Sequence, residues 1–113
     1  MRLGILALAL TITSLLGANI AEARREGRPS QWCGWWMRTQ LGGGPEMNLA
    51  ANWRRWGSHA SGPQVGAVVV WSHHVGIITG QTAGGKWIVK SGNDGGRVRE
   101  RARSVSGAVF RVG

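Results

Sequence analysis

The apolar positions of this chain change period partway along. Ser30 reads as the N-cap of a helix running over 30–41, which Gly42-Gly43-Gly44 stops and Pro45 bars from continuing. A second helix is predicted over 46–56. Leu49, Trp53 and Trp56 recur there at i, i+4 and i+7, and Gly57 ends it. Residues 58–66 have the composition of a loop. From residue 67 the pattern is that of strands. Residues 67–71 form a continuous β-branched and aromatic run, suited to a strand covered on both faces. Further strands are predicted over 74–79, 86–90 and 108–112. In the third of these, Trp87 and Val89 fall on one face and Ile88 on the other. Residues 97–103 alternate, with arginines at 97, 99, 101 and 103, as in a solvent-facing edge strand whose charge resists aggregation. Helices first and an antiparallel meander after them make an α+β domain.

The N-terminus belongs to a different class. Arg2 precedes an apolar stretch over 5–16, broken only by Thr11, Thr13 and Ser14, and Ala21-Glu22-Ala23 is a small-x-small cleavage site. Residues 1–23 therefore read as an export signal, 24–29 as a short linker ending in Pro29, and 30–113 as one small domain. The expected location is the periplasm or the outside of the cell. No other apolar run is long enough to span a bilayer, so no transmembrane segment is expected once the signal is removed.

Composition sharpens this picture. A domain this small buries little core, and a single cysteine cannot staple it internally. The seven tryptophans must supply much of the missing apolar area. A net charge of +9 favours anionic partners. With an export signal, peptidoglycan or another anionic envelope polymer is expected, and nucleic acid is not. Nothing in the sequence calls for an oligomer, so a monomer is expected.

The lone cysteine is the centre of the chemical reading. With Ser30 as cap, Cys33 falls in the first turn of a helix, where free amides and the helix dipole lower a thiol pKa and are placed to hold an oxyanion. Gly34 reads as a gap through which a substrate backbone reaches the sulfur. A histidine is needed as base. His74 opens an apolar strand with Gly76 as open space beside it. His73 competes, since adjacent strand residues face opposite sides and one of the two can face Cys33. His59 lies in a polar loop. Asn93 is the candidate orienter, a side-chain oxygen that fixes the histidine tautomer, with Asp94 and Ser91 as neighbours able to do the same. Cys33, His59, His73 and His74 lack paired metal-ligand spacing, and no glycine loop suits a phosphate, so neither metal nor cofactor is expected.

These residues resemble a known superfamily, the small papain-like cell-wall hydrolases that include the NlpC/P60 and CHAP domains. The resemblance rests on Cys33-Gly34-Trp35-Trp36, Val65-Gly66-Ala67-Val68-Val69-Val70, His74-Val75-Gly76-Ile77-Ile78 and Ile88-Val89-Lys90-Ser91-Gly92-Asn93, in that order. It implies a papain-like fold of NlpC/P60-CHAP type, with N-terminal helices packed on a small antiparallel sheet. It also implies Cys33 as nucleophile and His74, preceding Val-Gly-Ile, as general base. Asn93 matches the CHAP-type asparagine. The chain departs from the pattern at Val89, where NlpC/P60 domains often carry a polar residue, and at Ser91, where CHAP domains often carry a glutamate. The Gly66 turn also lacks the family's usual aspartate.

The reading that follows is an exported cysteine peptidase or amidase that cuts a peptide or amide bond in peptidoglycan by a Cys-His-(Asn) mechanism. The alternative is a non-catalytic, basic, tryptophan-rich module of the same fold that binds cell wall or lipid through exposed tryptophans and arginines.

Overall fold

The computed structural model describes residues 28–113. The export signal expected over 1–23, and most of the linker after it, lie outside the described residues. Among the described residues no helix is long and apolar enough to cross a membrane.

Helix α1 spans Cys33–Leu41. It starts later than the Ser30 cap implied. Trp32 takes the N-cap position without a side-chain cap bond, and its carbonyl receives the Trp36 N–H at 2.9 Å. Burial fixes this start, since Trp32, Cys33, Trp35, Trp36 and Met37 are all interior. Cys33 is consequently the first helical residue and not the third. Gly42 ends the helix at φ 83, a conformation that glycine adopts without penalty.

The expected second helix is replaced by two 3-10 turns, Pro45–Asn48 and Ala50–Arg55, separated by extended Leu49. Leu49 is 59% exposed, so it shares no buried face with Trp53 and Trp56. Trp53 sets the geometry instead. It is fully buried and its indole N–H donates to Met47 O at 2.8 Å, across the two turns. Gly34 allows the approach, because a Cβ there would overlap the carbonyl oxygens of Met47 and Asn48. The reading of Gly34 as a substrate gap is corrected accordingly: its missing side chain is filled by the protein's own backbone.

Six strands form one antiparallel sheet: β1 (Ser58–Ala60), β2 (Val68–Val70), β3 (Val75–Gln81), β4 (Trp87–Ser91), β5 (Arg99–Ala102) and β6 (Val109–Val112). The spatial order is β1-β6-β2-β3-β4-β5. β2 to β5 form the expected meander, but β6 returns to lie between β1 and β2. β1 was expected to be loop. Its polar residues carry no strand signal of their own and are drafted by pairing Ser58 with Val112 and Ala60 with Phe110. β5 is the sheet edge, as the arginine alternation implied, although Arg101 and Arg103 turn to Asp94 and not wholly to solvent.

Both faces of the sheet are covered. Val68, Val70 and Val75 pack with Cys33, Met37 and the tryptophans of α1 and the second 3-10 turn. Val69, Ile78 and Val89 pack on the opposite face with Trp71, Trp87 and Phe110. That is why three successive valines in β2 are all buried, each contributing about 1.5–3 kcal/mol of apolar burial. Gly92 closes α1 onto the end of β4, since a Cβ there would come within 2.9 Å of Trp32 Cζ3 and overlap Trp36.

Candidate active site

Cys33 is only 2% exposed, yet it lines an open cleft of about 350 Å³ together with Ser30, Asn48, Ala50, Ser72 and His73. The thiol donates to His73 O at 3.9 Å, and the Val75 N–H lies against the sulfur from the other side. It thus sits against the peptide groups that flank His74. Among the described residues no hydrogen bond joins it to an imidazole ring.

The thiol is also not activated in the way the first-turn position implied. Burial pushes Cys33 up from 9.0, and this outweighs the lowering by the N–H groups of Val75, Gly34 and Cys33 and by the charge of Arg103. At neutral pH the resting group is a thiol and not a thiolate.

His74 and Ser91 are brought together by strand alternation. His74 stands two residues before Gly76 and faces the same way. A Cβ on Gly76 would lie 3.0 Å from Ser91 Cβ and 2.6 Å from Val89 Cγ1. The space beside Gly76 is therefore filled by β4, which corrects the expectation of an opening there. The tight approach lets His74 Nε2 meet Ser91 Oγ at 2.9 Å. The ring also packs on Trp71, with centroids 5.6 Å apart. Burial first, and then the charges of Arg103 and Arg101, lower the His74 pKa from 6.5 to about 4, against the opposing charge of Asp94. The imidazole is neutral at pH 7, in the state a general base requires.

Asn93 does not reach this ring. It adopts φ 54 in the turn after β4, and its side-chain amide donates to Ser30 O at 3.4 Å. The residue bonded to His74 is Ser91, two positions earlier. The two-residue period of β4 places Ser91 on the Val89 face, but the pairing of β3 with β4 is what brings it to His74. Asp94 has another role. Its buried carboxylate receives both Arg101 Nε at 2.7 Å and Arg101 Nη2 at 2.8 Å, which holds its pKa below 3.8. His73 lines the cleft but is exposed, and His59 lies on β1, at the far end of the sheet from β5.

Arg103 was not singled out by the sequence beyond its place in the alternation. Its Nη1 lies 3.7 Å from Asp94 Oδ2, is buried and has no hydrogen-bond partner. Such an orphan donor costs about 1–3 kcal/mol, offset in part by the guanidinium lying 4.7 Å above the Trp71 ring.

No family model, curated protein or solved structure matches the chain.

Proposed function

We propose that the protein is an exported cysteine peptidase or amidase that cleaves a peptide or amide bond in peptidoglycan, on a papain-like scaffold. The observation that carries this reading is the placement of Cys33 at the start of α1, on the wall of an open cleft and against the backbone flanking His74. His74 itself is neutral and held by Ser91.

The proposed chemistry needs the His74 ring, which stands with Ser91 on the Val89 face of the sheet, to reach past the start of β3 to the thiol. When Ser91 Oγ accepts from Nε2–H, the lone pair of His74 lies on Nδ1. A substrate carbonyl enters the cleft, and Nδ1 takes the thiol proton as sulfur attacks the carbonyl carbon. The first-turn N–H groups of α1 have no helical partners and receive the oxyanion. Collapse breaks the C–N bond, the imidazolium protonates the leaving amine, and a thioester remains. Water, deprotonated by His74, attacks the thioester; the acid leaves and the thiol is restored. Because the thiol is neutral at rest, proton transfer accompanies attack and does not precede it.

The positive surface would hold an anionic wall polymer near the cleft. Export rests on the pattern of residues 1–23.

The second reading is a non-catalytic wall-binding module on the same scaffold. The thiol's bond to a carbonyl oxygen, in place of a ring nitrogen, favours it. The tryptophans oppose it: all seven are buried or half-buried, which leaves few indole faces to stack on sugars. Digestion of purified peptidoglycan with the wild type and with Cys33→Ser, read by mass spectrometry, decides between them. New fragments with the wild type alone support the hydrolase, and identical products from both proteins end that reading.

A further inference from the structure

We propose that Arg103 is a positioning residue for His74: its guanidinium clamps the Trp71 indole, against which the imidazole packs, so that the ring stays on Ser91. The proposal rests on the Cys33–His74 hydrolase reading for its catalytic meaning.

Five segments converge here. Trp71 follows β2, His74 precedes β3, Ser91 ends β4, Asp94 lies in the next turn and Arg103 follows β5. The backbone of Arg103 is fixed by its N–H bond to Trp87 O at 3.0 Å. From there the side chain lies over Trp71 at 4.7 Å, and Trp71 meets His74 at 5.6 Å. Ser91 holds one ring nitrogen of His74, and Trp71 constrains the plane of the ring.

Ion pairing with Asp94 accounts for only part of the burial of Arg103. Arg101 already occupies both oxygens of Asp94. Arg103 is left 3.7 Å from Oδ2, with Nη1 unpartnered, although its side chain is only 24% exposed. What the guanidinium does gain is a place over the indole, 4.7 Å from its centroid, where a planar, weakly hydrated guanidinium is favoured over an ammonium. An orphan polar group kept beside a candidate base is the kind of local cost that persists where a site needs it. Among the described residues, the charged and hydrogen-bonding groups that act on the imidazole are Ser91 from β4, Asp94 from the turn, Arg101 from β5 and Arg103 beyond it.

The test compares the wild type with Arg103→Met and Arg103→Lys in the full chain, following the His74 ring protons by NMR as pH is varied. Arg103→Met is expected to raise the His74 midpoint and to broaden the ring signals as the imidazole leaves Ser91. Arg103→Lys is expected to restore the midpoint in part, through its charge, but not the sharp ring signals. Trp71→Phe should loosen the ring while keeping the cation, and serves if Arg103→Met does not fold. In hydrolysis assays the acid limb of kcat/KM should move with the NMR midpoint. A lower melting temperature with an unchanged titration and unchanged ring signals in every folded variant would overturn the proposal. Absence of hydrolysis by the wild type would remove the catalytic reading alone, because the titration still reports whether Arg103 governs His74.

Discussion

The imidazole of His74 and the hydroxyl of Ser91 meet at 2.9 Å where β3 and β4 lie side by side. This bond holds the ring in the orientation on which the proposed proton transfer depends. Ser91→Ala removes the hydroxyl without adding bulk. Its kcat/KM on peptidoglycan fragments is expected to fall about 10- to 100-fold, part of the ~10²–10⁴ that a general base supplies. Asn93→Gly keeps the φ of 54 accessible and removes an amide that bonds Ser30 O. It is expected to leave kcat/KM close to wild type. The reverse ranking would place Asn93, and not Ser91, beside the base.

Stability should depend on pH through His74. Its folded pKa, about 4, lies below the 6.5 of the unfolded chain. Between these values the unfolded state binds more protons, so acidification favours unfolding there. The contribution of His74 is full above pH 6.5 and is lost as pH falls towards 4. Asp94 acts in the same direction at lower pH, because its carboxyl is held below 3.8 in the folded state. Urea titrations at several pH values should show this decline, and His74→Gln should flatten its upper part.

Alkylation of Cys33 reports the burial of the sulfur. In the free protein the rate with iodoacetamide is expected to rise through a midpoint above 9.0, since burial raises the thiol pKa. A midpoint below that of an ordinary thiol would show the resting thiolate that the first-turn position alone implies.

Two glycines provide a packing test. At Gly76 a Cβ would lie 2.6 Å from Val89 Cγ1 and 3.0 Å from both Lys90 O and Ser91 Cβ. Gly76→Ala must spread β3 from β4 and is expected to cost about 1–3 kcal/mol, with hydrolysis falling as His74 loses its reach to Ser91. At Gly62 nothing lies within 4 Å of the added carbon, so Gly62→Ala should stay within about 0.5 kcal/mol of wild type. Thermal denaturation of both variants is the measurement.

Much of the sheet could be read from the alternation of residue types. Val68–Val70, Val75–Gln81, Trp87–Ser91 and Val109–Val112 lie within a residue or two of the expected strands, because their β-branched and aromatic positions match the two faces they bury. Ser58–Ala60 was illegible, since its strand state comes from a partner 50 residues away in the chain and not from its own composition. The break at Leu49 was hidden for a related reason. A helical spacing of Leu49, Trp53 and Trp56 says nothing about an indole that must donate to Met47 O. At the candidate site, Cys33 at a helix start and His74 before a strand could be placed from pattern. The choice of Ser91 over Asn93 depended on the register between β3 and β4, which spacing does not encode. The thiol's raised pKa depended on the burial of its helical turn, which overrides the helix dipole.

The position of β6 has a temporal consequence. The strand that joins β1 to β2 is the last to be synthesised, and Ser58 waits for Val112 before it can pair. Closing so long a loop is slow compared with forming a local hairpin. Until Val109–Val112 arrives, β2 keeps one edge open to any other extended segment. Pairing of β1 and closure of the β2 edge therefore both wait on Val109–Val112, and loss of those residues would leave β2 open to other extended segments.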